Sequence, residues 1–356
     1  MQDPLYFPRT EYASKLVSSL QNGITHAFTL FAPRRMGKTE FLLKDIRPLA
    51  EQNGFNVLYF SFMDSATPAA DFQAVLSRFA TDIQTGGKAK TLIGSISKID
   101  IMGLGIERQP AAETLPRLSE LIGRIAADNR PSLLLLDEVQ ELARIKHTES
   151  LIKSLRTGLD IHKDRIKTIF TGSSTNGLRA MFNDNKAPFF HFAHALDFPL
   201  LGREFTDFLA DIYHQRTSTP LNKEALYRAF EAMNHTPLYM RAAIQDMILN
   251  PALDIEQASR ARIEQMHENS NYPALWQSLT AMEQLILQQI AQGNTALYSE
   301  TTRQAIAERA GLARITPAAI QGNVRKLERK DLLSKSGRTW GINSPLFQTW
   351  IAEQAT

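Results

Sequence analysis

The run Ala32-Pro33-Arg34-Arg35-Met36-Gly37-Lys38-Thr39 carries the residue types that hold a phosphate chain. A short apolar stretch, residues 28–32, precedes it, and a helical pattern follows from about Lys38 to Glu51. That is the strand–loop–helix setting such a loop requires. Gly37 lets the backbone come close to an anion, and successive N–H groups at the start of the helix face it. Lys38 would reach the β- and γ-phosphates, and Thr39 would ligate Mg²⁺. Pro33, Arg34, Arg35, Met36 and Glu40 complete the nucleotide-binding stretch. The glycine that usually opens GxxxxGK[ST] is Ala32 here, a change that alters the loop if the position needs a positive φ.

A second group lies downstream. Leu133 to Leu136 run into Asp137 and Glu138, an apolar strand tipped by two carboxylates. Asp137 can hold the Mg²⁺ shell, and Glu138 can orient or deprotonate an attacking water. Ser173 or Ser174, in TGSS at 171–174, falls where a polar sensor of the γ-phosphate would sit. The plain structural alternatives are solvated acids capping a strand and an ordinary Ser-rich turn. Asp137 and Lys38 together make the first of these the weaker reading.

The elements that must position these residues alternate along the chain. Residues 28–32, 55–62, 132–138 and 167–174 read as buried strands, with a fifth from Ala195 to Leu200. Between them lie amphipathic helices. One runs from Asp71 to Gln84 with Phe72, Val75, Leu76, Phe79 and Ile83 on one side; others span 115–129 and 149–159. Residues 91–108 alternate and are punctuated by glycine, which predicts a β-hairpin. The pattern predicts a three-layer α/β core with a mainly parallel sheet over residues 1–201. A helical lid subdomain is expected over 202–273 and a winged-helix domain over 274–356.

In that last domain, Met282, Leu285, Ile286 and Ile290 mark a first helix and Thr301 to Ala310 a second. Thr316 and Pro317 open a third as N-cap and first-turn residue, with Ile320, Val324 and Leu327 on its inner side. Residues 332–343 predict a β-hairpin wing turning at Ser336-Gly337. The chain's net charge is +3, and all of it lies from Ala274 onward. Gln321, Arg325, Lys326, Lys335 and Arg338 on the third helix and wing are candidates for contact with double-stranded DNA. Only Gln321 and Asn323 on that helix have the chemistry to read a base edge, so sequence-tolerant contact or a protein-docking face are the competing expectations.

Composition closes off several chemistries. With no cysteine, there is no disulfide framework, thiol nucleophile or cysteine-held metal. The eight histidines form no HExxH, and His191 and His194 read as a structural pair. No apolar run approaches the ~20 residues a membrane helix needs, and the start lacks a basic region followed by an apolar one. The simplest compartment is the cytoplasm.

PRRMGKTEFL, LLLLDEVQEL, TGSSTNGLRAMF, NHTPLYMR and GINSPLFQTWI stand in this order along nearly the whole chain. In these residues the chain resembles the archaeal-type ATPases of the STAND branch of P-loop NTPases, cousins of the AAA+ origin-binding initiators. The resemblance implies that Phe7 and Arg9 border the adenine. It implies that Pro237 belongs to a lid element touching the nucleotide, with Asn234 and His235 where relatives have glycine. It also implies that Arg241 acts as a second sensor of the phosphates. Relatives often carry an arginine before the fifth strand; here that stretch is APFFHFAHA, with Phe192 near the place, leaving Arg179 and Arg203 as candidates for an arginine finger.

Three functions remain open at this level. One is an ATP-dependent switch, with ATP/ADP and Mg²⁺ between core and lid, reporting to DNA or a partner protein through the winged helix and capable of nucleotide-dependent self-association. The second is a DNA-binding regulator or loader that ATP licenses. The third is a nucleotide-binding interaction protein with negligible turnover. A small-molecule kinase fits less well, because the acid pair, the lid motif and the winged helix have no place in it.

Overall fold

Both faces of the central sheet are covered, which is why its strands read as unbroken apolar runs. The computed structural model of the protein describes residues 3–63, 67–85, 93–94, 116–144, 148–173, 181–182, 187, 189–336 and 339–354. These divide into two compact units, Pro8–Phe198 and the combination of Met1–Phe7 with Pro199–Thr356.

In Pro8–Phe198 the strands are β1 (Ala27–Phe31), β2 (Asn56–Ser61), β3 (Ile93–Gly94), β4 (Ser132–Asp137), β5 (Ile166–Gly172) and β6 (His194–Asp197). They lie in the order β3-β2-β4-β5-β1-β6, and every pairing is parallel. Side chains alternate between faces, as strand geometry demands. Phe28, Leu30, Val57, Tyr59, Leu133, Leu135 and Ile169 face a layer made by α1 (Thr10–Gln21), α2 (Lys38–Phe41) and α3 (Arg47–Gln52). Leu58, Phe60, Leu134, Leu136 and Phe170 face α4 (Pro68–Gln84), α5 (Leu118–Ala126) and α7 (Glu149–Ile161); the short α6 is Glu141–Arg144. α5 and α7 approach so closely that a Cβ on Gly158 would lie 2.9 Å from the Ser119 Cα.

Three expectations change. The helix expected from Lys38 to Glu51 is interrupted by a π turn, Leu42–Ile46. Pro48 explains the break: it has no N–H to give the Lys44 carbonyl, and its ring crowds that oxygen, so the wider turn upstream absorbs it. The fifth strand is His194–Asp197 rather than Ala195 to Leu200, with Pro199 beyond it unable to donate to a ladder. Of the hairpin expected over 91–108, Ile93 and Gly94 pair in parallel with Tyr59 and Phe60 at the sheet edge; its other residues lie outside those described.

In the second unit, α8 (Arg203–Thr217), α9 (Lys223–Ala232), α10 (Pro237–Leu249) and α11 (Ile255–Ser270) enclose Phe205, Leu209, Phe230, Met240 and Ile244. Leu5 joins this core, and Phe7 packs edge-on to Phe205 and Phe208.

After α12 (Tyr272–Gln277) come α13 (Ala281–Ala291), α14 (Glu300–Arg309) and α15 (Pro317–Arg329). The antiparallel β7 (Leu333–Ser336) and β8 (Thr339–Ile342) and a final helix α16 (Pro345–Gln354) complete a winged helix. Thr316 caps α15 by accepting from the Ala319 N–H at 3.2 Å, and Ile320, Val324 and Leu327 are buried. The inner face of α13 is Ile286, Leu287 and Ile290 together with Glu283, while Met282 and Leu285 are half-buried. Glu283 closes a capping box with Thr280 and accepts from Lys330 Nζ at 2.9 and 3.0 Å.

Candidate functional site

The pleat of three strands decides which side chains meet. Leu133, Leu135 and Asp137 share a face of β4, and Tyr59 on β2 and Thr171 on β5 are on the same side. That is the side covered by α2, the helix that begins at Lys38. β5 lies between β1 and β4, so the loop after β1, the carboxylate ending β4 and the serine after β5 gather at one edge of the sheet.

The loop has two left-handed residues, Arg35 (φ 69°) and Gly37 (φ 86°). Glycine takes this conformation freely; arginine takes it at a cost. Ala32 does not have a positive φ, so its Cβ brings no backbone strain where relatives carry glycine. Met36 is anchored in the core beside Phe41 and Leu42, whereas Pro33, Arg34 and Arg35 are exposed to varying degrees. Glu40 is half-buried and pairs with Lys44 at 2.6 Å.

Lys38 is only 5% exposed, and its Nζ donates to the Ala32 and Pro33 carbonyls at 2.7 and 2.9 Å. Burial pushes the ammonium pKa down; Glu138 and Asp137 oppose this, and Arg34 adds to it. Arg9 braces the loop from outside. Its Nη2 donates to the Met36 carbonyl at 3.3 Å, its backbone N–H to Asp45 Oδ2 at 3.0 Å, and its guanidinium lies 4.2 Å over the Phe198 ring.

Asp137 is 2% exposed and fully engaged. Oδ2 accepts from Thr39 Oγ1 at 2.6 Å and the Tyr59 hydroxyl at 3.1 Å; Oδ1 accepts from the Glu138 N–H at 3.1 Å and from Thr171 Oγ1. Glu138 turns the chain off the strand with φ 53°. Its Oε2 accepts from Ser173 Oγ at 2.8 Å, the Ser173 N–H at 3.2 Å and Gln140 Nε2.

The structure therefore brings Lys38, Thr39, Asp137, Glu138 and Ser173 into one polar group, with Arg9 at its border. Tyr59, Thr171 and Gln140 belong to it and had no place among the residues expected from sequence. The first two could have been found from sheet register; Gln140 had only its position after Glu138 to mark it. Ser174 and Arg179 lie outside the described residues.

Among the described residues no cluster of three or more His, Asp or Glu could hold a metal. A cation here would instead rest on the Thr39 hydroxyl, the Asp137 carboxylate and oxygens of a ligand. These are hard oxygen donors of the kind Mg²⁺ takes, and they already lie side by side.

In the second unit, Asn234 and His235 both have φ 50°, a left-handed turn before α10. His235 Nδ1 lies 3.2 Å from the Leu201 carbonyl, and Pro237 starts α10. Arg241 is paired with Asp3, and Arg203 is held by Glu224 at 2.6 Å and lies over the Tyr227 ring at 4.4 Å. Phe7 is packed as described above.

On the winged helix, Gln321, Arg325, Lys326 and Lys335 are exposed, and Lys335 Nζ lies 5.9 Å from the Trp340 ring centre. Asn323 gives its amide to the Ala319 carbonyl at 2.9 Å, which leaves Gln321 as the polar reader of the two considered. Lys330 is engaged with Glu283. Arg338 lies outside the described residues.

Comparison with known proteins places this geometry in context. No protein-family model and no curated protein sequence matches the chain. Among solved structures, a Walker-type ATPase of Pyrococcus abyssi is similar at 17% identity and TM-score 0.63, covering 97% of this chain and 96% of that one. The ORC2 protein of Aeropyrum pernix is similar in its ADP form at 16% identity and TM-score 0.58, covering 99% and 97%. Its ADPNP-ADP complexes give 15% identity and TM-score 0.58, with the same coverage. The chain shares the three-layer α/β P-loop fold of these structures.

Proposed function

We propose that this protein is an ATP-binding and ATP-hydrolysing switch, with its nucleotide site in Pro8–Phe198 and its output in the winged helix. The observation that carries the reading is the single group formed by Lys38, Thr39, Asp137, Glu138 and Ser173. The nucleotide complexes of the structurally similar ORC2 protein support it.

On this reading Gly37 and the N–H groups that open α2 cradle the phosphates, and Lys38 exchanges its two loop carbonyls for phosphate oxygens. The Thr39 hydroxyl and the Asp137 carboxylate are the groups that would hold Mg²⁺. When bound, the ion neutralises charge on the β- and γ-phosphates. Tyr59 and Thr171 keep the Asp137 carboxylate facing Thr39. Glu138 orients the water that attacks the γ-phosphorus. The water oxygen forms the new bond to phosphorus, and the bond to the bridging oxygen breaks. ADP leaves with that electron pair, and the water's proton passes to Glu138 and on to solvent. Ser173, touching Glu138, is the sensor of the γ-phosphate.

Titration of wild-type, Lys38→Ala and Glu138→Gln proteins with ATP and Mg²⁺, followed by turnover, tests this. Lys38→Ala should weaken binding about 10–100-fold, the loss of a charged hydrogen-bonding partner. Glu138→Gln should bind ATP and lose turnover by about 10²-fold or more. Unchanged affinity in the first, or intact hydrolysis in the second, rejects the assignment.

A second reading, contact with double-stranded DNA, rests on the exposed Arg325, Lys326 and Lys335 of α15 and the wing. It extends the switch to a nucleic-acid partner without replacing it.

A further inference from the structure

Gln140 is 1% exposed, two residues beyond Glu138 in the turn that leads to α6. Its Nε2 donates to Glu138 Oε2, the same oxygen that accepts both donors of Ser173. Its own Oε1 is buried without a hydrogen-bond partner among the described residues. An apolar side chain of that length would fill the space without burying an unpaired carbonyl, so stability does not account for an amide there. What the amide adds is one N–H aimed at the carboxylate.

The backbone around it is fixed by other means. Val139 is fully buried and its N–H donates to the Thr171 carbonyl at 3.1 Å; the N–H groups of Glu141 and Leu142 close the turn onto Glu138 and Val139 at 3.0 and 3.1 Å. The side chain of Gln140 is therefore not needed to form the turn.

We propose that Gln140 is a positioning residue for hydrolysis. Together with Ser173 it fixes one oxygen of Glu138, so that the other is the oxygen presented to the attacking water. The inference rests on the reading of this site as an ATP hydrolase. Gln140 touches neither the phosphates nor the cation in that reading, so it acts on the rate and not on affinity.

The test compares wild type, Gln140→Met, Gln140→Glu, Glu138→Gln and the double variant Glu138→Gln/Gln140→Met. ATP affinity, kcat, KM and the melting temperature are measured for each. Gln140→Met keeps the length and drops the donor. It should bind ATP within about twofold of wild type and lose kcat by about 10–100-fold, part of the ~10²–10⁴ a positioned base supplies. Removing Gln140 from the Glu138→Gln protein should cost little more, because the two act as a unit. Gln140→Glu keeps the length and replaces the donor with an acceptor, and should lose kcat as Gln140→Met does. If Gln140→Met does not fold, the split between kcat and KM in Gln140→Glu carries the test. A Gln140→Met kcat within about twofold of wild type, with Glu138→Gln inactive, overturns the role of Gln140 and leaves the hydrolase reading standing. A wild-type protein that binds ATP without turnover overturns both.

Discussion

Lys38 shows how burial acts on a single charged residue. Its ammonium is buried against two loop carbonyls, and its pKa is pushed below the ordinary lysine value. The unfolded chain then holds that proton more tightly than the folded one. Stability attributable to this group is therefore diminished at neutral pH and is recovered as pH rises from the folded pKa toward the unfolded value near ~10.4. Replacing Lys38 by Met removes the buried charge. The nucleotide-free melting temperature should hold or rise, while Mg²⁺ and ATP should no longer raise it as they do in wild type by linkage. A fall in the nucleotide-free melting temperature would contradict this account. Lys38, Thr39, Asp137 and Glu138 were legible in the sequence because each is defined by neighbours along the chain. Tyr59, Thr171 and Gln140 were not, because what brings them to Asp137 and Glu138 is the register between strands or the course of a turn.

At the scale of elements, the strands announced themselves as apolar runs because both sheet faces are buried. The ends were less legible: the π turn answers to Pro48 and the end of β6 to Pro199, and each is a consequence of a missing N–H. On α13, Ile286 and Ile290 are buried as their spacing indicates, and Glu283 points inward beside them. A buried carboxylate is readable only once its partners are known, here Lys330 just past the last turn of α15 and Thr280 at the cap. Burial raises the Glu283 pKa, but hydrogen bonds from Lys330 and Thr280 outweigh it, and the net shift is downward. The stabilisation is thus complete above the ordinary carboxylate pKa of about 4.3 and is lost as pH falls through the lower folded value. Melting of the protein between about pH 6 and pH 3 should show this acid destabilisation, and Glu283→Gln should flatten it. An unchanged acid limb in the variant would show that Glu283 is not its source.

For the whole molecule, the charge total conceals a division. Residues before Ala274 balance to zero, and the basic excess sits with the winged helix. Lys330 is engaged by Glu283, so the exposed cations that can meet phosphates are fewer than a count suggests. Duplex binding should therefore be weak and sequence-tolerant, with Gln321 as the polar side chain in a position to read a base. Replacing Arg325, Lys326 and Lys335 by Ala should weaken binding similarly for unrelated sequences and lower the salt slope by about one for each phosphate no longer neutralised. Binding that survives all three changes with its salt slope intact would remove DNA from the partners of this face.

The division into units has a consequence for how the protein is made. Leu5 and Phe7 belong to the core built by α8, α9 and α10, and Asp3 pairs with Arg241 on α10. All of Pro8–Phe198 is synthesised between those residues and their partners. At about 5–20 residues per second, the segment holding Leu5 and Phe7 waits roughly 10–40 s on the nascent chain with its apolar side chains unmatched. The P-loop unit can complete its own core during that interval, because every strand of its sheet is already in hand. The helical unit cannot, and its closure recovers a segment made before the whole of Pro8–Phe198.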